Sequence, residues 1–136
     1  MKRYMLDTNI VSRALKQDIG VIGRLLKLPV RAVCISAITE GELQYGLFKK
    51  PNANNLHGLA REFLLRVDSL PWDREVATCY GKLRSDLEKE GVSLGPLDMQ
   101  IAAHAIHSRT ILVSNDHAFK RIKGLDLEDW TLLQQR

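Results

Sequence analysis

The chain has 136 residues, of which 45% are hydrophobic and 26% charged, and its formal net charge is +4. This length gives one domain a buried core but is too short for two, so a single domain over residues 1–136 is expected. No apolar run approaches the roughly 20 residues of a membrane span, and the N-terminus lacks the apolar core of a signal peptide. These features argue against a membrane or secreted protein and favour a cytoplasmic one.

Apolar runs alternate with amphipathic stretches along the chain. The runs at 4–6, 32–35 and 111–113 predict strands, and those at 67–70 and 125–127 are weaker candidates. Helical patterns cover 10–15, 21–28, 37–48, 56–67, 74–90 and 97–107, with a turn at 51–55 and a loop at 91–96. Strands that alternate with helices of this length predict an α/β fold, a parallel sheet flanked by helices.

Four acidic residues occupy similar positions in this pattern. Asp7 ends the first strand, Glu42 lies in the helix after the second strand, Asp98 starts the last long helix, and Asp116 follows the strand at 111–113. Strand ends and helix starts lie at one edge of a parallel sheet, where ligand sites gather. The four carboxylates are therefore expected to converge.

Local sequence leaves two alternatives open. Asp7, Thr8 or Asn9 could merely cap the following helix, since all three residue types are good N-caps. Glu40 lies on nearly the opposite side of its helix from Glu42, so only one of the two can face the site, and periodicity does not choose between them.

Converging carboxylates need a cation or a proton. Two of them about 5 Å apart repel by roughly 3 kcal/mol at an effective dielectric constant near 20. An all-oxygen set of ligands favours Mg²⁺ or Mn²⁺ over zinc, and such an ion can activate water for attack on a phosphate. An acidic pocket in a basic chain is what a nuclease needs.

The basic residues fall mostly on predicted helix surfaces, where a solvated face is the commoner explanation than a binding site. They are Lys49, Lys50, Arg61, Arg66, Lys82, Arg84, Lys120, Arg121 and Lys123. Cys34 and Cys79 form no CxxC pair and are expected to be buried, reduced thiols.

Four motifs, in order and at matching spacing, resemble the PIN-domain ribonuclease toxins of the VapC type. They are LDTN at 6–9, ISAITEGELQYG at 35–46, GPLDMQIAAHA at 95–105 and ILVSNDHAFKRI at 111–122. Together they extend the resemblance from residue 4 to about residue 130, nearly the whole chain.

The resemblance implies roles for individual residues. The catalytic acids would be Asp7, Glu42, Asp98 and Asp116, and all of these except Glu42 would be metal ligands. Glu42 is selected over Glu40 because the family's acid sits in a Thr-x-x-Glu-Leu pattern, here 39–43. Neighbouring polar side chains would support the ligands through hydrogen bonds, although turn and cap chemistry explains some of them equally well. These are Thr8, Asn9, Ser114 and Asn115.

The implied function is that of the toxin in a type II toxin–antitoxin system. The protein would be a homodimeric, Mg²⁺-dependent endoribonuclease, with Mn²⁺ as a possible substitute. Its substrate would be tRNA, with initiator tRNA and its anticodon stem-loop as the best candidate. A VapB-type antitoxin would block the site, operator DNA would be contacted only through that complex, and no membrane partner is implied.

Other functions remain as alternatives. The chain could be a PIN-like module that binds nucleic acid without cutting it, or an RNA-processing nuclease outside a toxin–antitoxin system. A phosphatase of the haloacid dehalogenase kind is disfavoured, because its general acid would stand where this chain has Asn9.

The histidines and tryptophans suggest no second site. His104 and His107 are three residues apart on a helix, but no third His or Cys is in register, so core or exposed histidines are expected rather than ligands. His117, next to Asp116, is expected in a loop. Trp72 and Trp130 are expected in the core or at a dimer contact.

Overall fold

The computed structural model describes residues 1–132, and its centre is a five-stranded parallel sheet with the order β3-β2-β1-β4-β5. The strands are β1 (Tyr4–Leu6), β2 (Val33–Ser36), β3 (Asp68–Leu70), β4 (Ile111–Val113) and β5 (Leu127–Glu128). The predicted α/β fold is confirmed.

Four of the helices begin where a side chain accepts a free backbone N–H group of the first turn. Asp7, Asp18, Ser36 and Asp73 each act in this way as an N-cap. The helices are α1 (Thr8–Leu15), α2 (Ile19–Leu26), α3 (Ala37–Phe48), α4 (Asn54–Arg66), α5 (Arg74–Lys89) and α6 (Pro96–Ser108), with short 3-10 turns at Val30–Ala32 and His117–Arg121.

Several predicted boundaries were wrong by one or two residues. The strand predicted from Ala32 begins at Val33, because Val30–Ala32 form a 3-10 turn. The turn predicted at 51–55 is shorter, since α4 already begins at Asn54. The last strand begins at Leu127 rather than at Leu125, which packs against the core before the strand pairs.

Two apolar clusters cover the two faces of the sheet. Successive strand residues point to opposite faces, so Leu6 packs with α1, α2 and α4, while Met5 packs with α5 and α6. Ile35 and Cys34 divide between the same two clusters. Burial on both faces explains why these strands are continuously apolar rather than alternating.

Both cysteines are free thiols, as predicted. Cys34 is buried, and desolvation raises the pKa of its thiol to about 11. Cys79, which was also expected to be buried, is only half-buried, and it donates to the carbonyl of Ala103 at 3.5 Å. Among residues 1–132, the helices are all too short or too polar to cross a membrane.

Candidate active site

The order of the strands creates a crevice at one edge of the sheet. From β1 the chain builds outward through β2 and β3 on one side, then crosses to β4 on the other. Ligands of open α/β sheets bind at the carboxyl ends of the strands where the order reverses. Here that point lies between β1 and β4, where the Asp7 N–H donates to the Val113 carbonyl at 3.0 Å.

A cleft of about 600 Å³ opens at this position and contains all four predicted acids. Each acid comes from a different element, so the fold rather than local sequence brings them together. Glu42 lines the cleft and Glu40 does not, which resolves the alternative that periodicity left open. The lining residues of this acidic cleft are Asp7, Thr8, Asn9, Ser12, Glu42, Asp98, Ile101, Asn115 and Asp116.

Asp7 is both a helix cap and a member of the cleft. Its Oδ1 accepts the Ile10 N–H at 2.9 Å, while the residue is only 7% exposed. Burial raises the pKa of the Asp7 carboxyl above its ordinary value, and the Ser114 hydroxyl and the Ile10 N–H oppose that effect. The negative charges of Asp98 and Asp116 raise this pKa further. The two interpretations of Asp7 are therefore compatible.

Asp98 lies in the first turn of α6, behind Pro96 at the start of the helix. It is half-buried, and its pKa is also raised, first by burial and then by the charges of Asp116 and Glu42. A carboxylate in the first turn normally gains from the helix dipole. Since the pKa is raised nevertheless, burial and the neighbouring negative charges outweigh that gain.

The polar residues beside the acids form two kinds of contact. Thr8 Oγ1 donates to Glu42 Oε1 at 2.6 Å, and the Ser114 hydroxyl accepts the Asp116 N–H at 3.0 Å. Asn9 Nδ2 instead donates to Asn115 Oδ1 at 2.7 Å, so these two amides join α1 to the segment after β4. Asp116 uses one oxygen to cap the 3-10 turn at Ala118.

The acidic cleft has no countercharge in the described part of the chain. No Lys or Arg of residues 1–132 lines it, and none of its acids takes part in an ion pair there. Like charges that raise one another's pKa bind a cation readily. The donor set is all oxygen, which suits a hard divalent ion.

The acids do not form a closed metal cage. Within residues 1–132, no three His, Cys, Asp or Glu side chains are close enough to hold an ion by themselves. Asp7, Asp98 and Asp116 line one cleft and remain the predicted ligands. Mg²⁺ keeps several waters and is commonly held by one or two carboxylates, so the residues still fit a hydrated ion.

His104 lies outside the acidic cleft, in the core. It is 1% exposed, its Nδ1 is 2.7 Å from Ser36 Oγ, and its ring meets Trp72 edge-on at 5.7 Å. Burial lowers the pKa of this imidazole. His107 and His117 are exposed, and Trp130 is buried.

Two cleft residues were missed in the sequence. Ser12 follows Thr8 by four residues and Ile101 follows Asp98 by three, so each lies on the same helix face as a recognised site residue. Their spacing of three or four residues from Thr8 and Asp98 was the signal in the sequence that could have identified them.

Comparisons with known proteins agree with this geometry. Residues 4–125 match the family model described as PIN domain. The chain is 35% identical over 132 residues to the "tRNA(fMet)-specific endonuclease VapC" of Shigella flexneri, covering 96% of this chain and 100% of the relative.

Two solved structures are similar over almost their full length. One is a VapBC2 structure from Rickettsia felis, bound to a DNA fragment from their promoter (TM-score 0.86, 36% identity, 93% of this chain and 98% of that chain). The other is a DNA-bound VapBC structure from Salmonella typhimurium (TM-score 0.88, 33% identity, 96% and 99%). The chain belongs to the PIN-domain family, and within it to the VapC type.

Proposed function

We propose that this protein is the toxin of a type II toxin–antitoxin system and acts as a metal-dependent endoribonuclease. The observation that carries the proposal is the acidic cleft: four carboxylates from four elements meet at the switch point of the sheet, and no Lys or Arg of residues 1–132 lines it. Metal-dependent hydrolysis of a phosphodiester needs such a site, because the carboxylates hold the cation that offsets the negative charge of the phosphate.

Asp7, Asp98 and Asp116 would hold the ion, with Mg²⁺ as the expected metal and Mn²⁺ as a substitute. When bound, such an ion polarises a phosphate oxygen and lowers the pKa of a water molecule. Asp7 is held in place by the Ile10 N–H, and Asp116 by the backbone of the following 3-10 turn. These bonds fix the carboxylates before substrate arrives.

Glu42 would accept the proton of the attacking water. The Thr8 hydroxyl donates to Glu42 Oε1 at 2.6 Å, which orients the carboxylate and leaves its second oxygen available. A general base must lie within hydrogen-bond reach of the water it activates. Asn9 and Asn115, bonded to each other, would keep α1 and the segment after β4 at a fixed separation.

The proposed substrate is tRNA, with initiator tRNA first, because a relative named for that specificity is 35% identical over almost the whole chain. The proposed partner is a VapB-type antitoxin that blocks the site, with operator DNA contacted only through the complex. This extends to the present chain what the similar VapBC structures contain. We further propose a homodimer that acts in the cytoplasm.

The direct test is incubation of the purified protein with initiator tRNA and with total tRNA, in Mg²⁺ or in EDTA. Cleavage is expected only with Mg²⁺, with a loss of about 10²-fold or more in Asp7→Asn and in Asp98→Asn. Glu40→Gln is the control, since Glu40 lies on α3 but outside the cleft.

Equal cleavage by the wild type and both Asn variants, or cleavage undiminished by EDTA, would contradict the proposal. Binding of tRNA without cleavage under every metal condition would instead favour a nucleic-acid-binding module.

A further inference from the structure

A second groove, of about 240 Å³, adjoins the acidic cleft between α1 and α3. The two share Thr8, Ser12 and Glu42 as a common wall. Beyond this wall the lining changes from acidic to basic and apolar. We call this site the lysine groove, and its remaining lining residues are Leu15, Lys16, Leu43, Gly46, Leu47, Lys49, Lys50 and Leu56.

The charge of the lysine groove changes from one end to the other, because the residues of each wall are spaced along one side of a helix. Along one side of α1, Thr8, Ser12 and the C-cap residue Lys16 recur every four residues. Eight residues of helix span about 12 Å. On α3, Glu42 and Gly46 lead in the same way to the lysines at 49 and 50. One end of the groove is therefore acidic and the other is basic.

The lysine charges are available to a ligand. Lys16, Lys49 and Lys50 are exposed, and within the part of the chain that the structure describes none of them forms an ion pair. Several other basic side chains are paired: Arg3, Arg13, Arg24, Arg66, Lys82 and Arg84. The Lys49 ammonium lies 4.9 Å from the centroid of the Tyr45 ring, a contact that orients the charge without neutralising it.

The floor of the lysine groove is apolar. Leu15, Leu43 and Leu47 are buried beneath it, and Leu56 of α4 closes one side. An apolar surface beside cationic side chains suits a nucleotide, whose base is apolar on its faces and whose phosphate is an anion. In a duplex the base faces are covered by stacking, so an unpaired base is the ligand that can contact the leucines.

We propose that the lysine groove binds the single-stranded RNA segment next to the scissile phosphate, with the phosphates on the three lysines and a base on the leucine floor. This inference rests on the proposed ribonuclease function. It also answers an electrostatic problem, because the acidic cleft repels RNA and the substrate needs attraction close by. Lysine supplies that attraction as a compact, mobile point charge.

The first test neutralises the charge with a combined Lys16→Gln, Lys49→Gln and Lys50→Gln variant. Lys27→Gln is the matched control, since Lys16, Lys27 and Lys49 each follow the end of a helix but Lys27 lies outside the groove. Cleavage of a single-stranded hexanucleotide and of tRNA is measured as a function of salt.

The combined variant should raise KM by about tenfold or more and make the slope of log affinity against log salt shallower by about 2, at roughly 0.7 per phosphate contact. The control should match the wild type in both quantities.

The second test fills the groove with Gly46→Leu. A Cβ at Gly46 meets no atom within 4 Å, and leucine has the higher helix propensity, so this variant should fold. RNA cleavage should fall, and the loss should shrink as the substrate is shortened toward a dinucleotide. Gly81→Leu on α5, where a Cβ also meets nothing within 4 Å, is the control.

The outcomes separate the two proposals. If the wild type cleaves RNA and both groove variants keep its KM and salt dependence, the lysine groove proposal is wrong and the ribonuclease function stands. If the groove variants cleave normally but escape inhibition by the antitoxin, the groove is a protein-binding site and the proposal is again wrong. If the wild type cleaves no RNA with Mg²⁺ or Mn²⁺, the ribonuclease function fails and this inference fails with it.

Discussion

The acidic cleft and the His104–Ser36 pair are two polar clusters at neighbouring strand ends. The first brings like charges together, whereas the second is a hydrogen-bonded pair. Ser36 ends β2, accepts the Ile38 N–H at 3.1 Å and bonds to His104 at 2.7 Å, all within the core. Asp7 follows β1 and is nearly as buried, but it faces other carboxylates. A satisfied polar pair stabilises a fold, whereas uncompensated charge lowers its stability and is kept where function requires it.

The largest expected effect is a loss of activity when Glu42, which lines the cleft, is replaced, compared with Glu40 on the same helix. Glu42→Gln should lower kcat by about 10²-fold or more, since glutamine can still accept the Thr8 hydrogen bond but cannot accept a proton. Glu40→Gln should stay close to the wild type. Single-turnover cleavage of tRNA measures both, and similar losses in the two variants would show that cleft position does not determine catalysis.

A substitution in the His104–Ser36 pair should lower the stability of the fold. His104→Ala removes a buried ring and leaves the Ser36 hydroxyl without its partner, so the free energy of unfolding should fall by about 2–4 kcal/mol. His107→Ala, on the exposed side of the same helix, should change it by about 0.5 kcal/mol or less. Urea unfolding at neutral pH measures both, and equal values would show that the buried hydrogen bond contributes nothing.

The smallest expected effect is a difference in pH dependence between the two clusters. The Asp7 pKa is raised above 3.8, so the folded state holds its proton more tightly than the unfolded state. Its contribution to stability is present below pH 3.8 and is lost as pH rises through the folded pKa. The His104 pKa is lowered below 6.5, so its contribution is present above pH 6.5 and is lost as pH falls through the lowered pKa.

Thermal unfolding in EDTA across pH 4 to 8 tests this contrast. Asp7→Asn should remove the loss of stability that accompanies a rise in pH above 3.8, whereas His104→Asn should remove the loss that accompanies a fall in pH below 6.5. Parallel pH profiles for the two variants would contradict the opposite signs.

Most of the sheet could be predicted because it depends on local apolar patterns, whereas the choice of Glu42 over Glu40 needed the resemblance to a known family. The runs at β1 and β4 match the observed strands residue for residue, since they are bounded by polar residues on both sides. The boundary of β2 was missed because Ala32, the last residue of the 3-10 turn, is apolar and directly precedes the strand. The sequence contains no signal that separates a 3-10 turn from an apolar strand start there.

The lysine groove could not be predicted in the same way. Lys49 and Lys50 were assigned to a solvated helix surface, and Lys16 was not singled out. Their position beside the acids depends on how α1 packs against α3, which involves residues more than thirty positions apart, such as Thr8 and Glu42. The metal ligands Asp7, Asp98 and Asp116 stay a prediction, because spacing along the chain does not fix distances between elements.

The most direct test of the acidic cleft is to measure activity and stability together in Asp98→Asn. Because repulsion and burial both disfavour the Asp98 carboxylate, its neutral replacement should unfold at the same or a higher temperature than the wild type in EDTA. The same variant should lose Mg²⁺-dependent tRNA cleavage and the stabilisation that the wild type gains from Mg²⁺ or Mn²⁺. A variant that unfolds at a lower temperature in EDTA yet still cleaves tRNA would show that Asp98 is a structural residue, and would contradict the account.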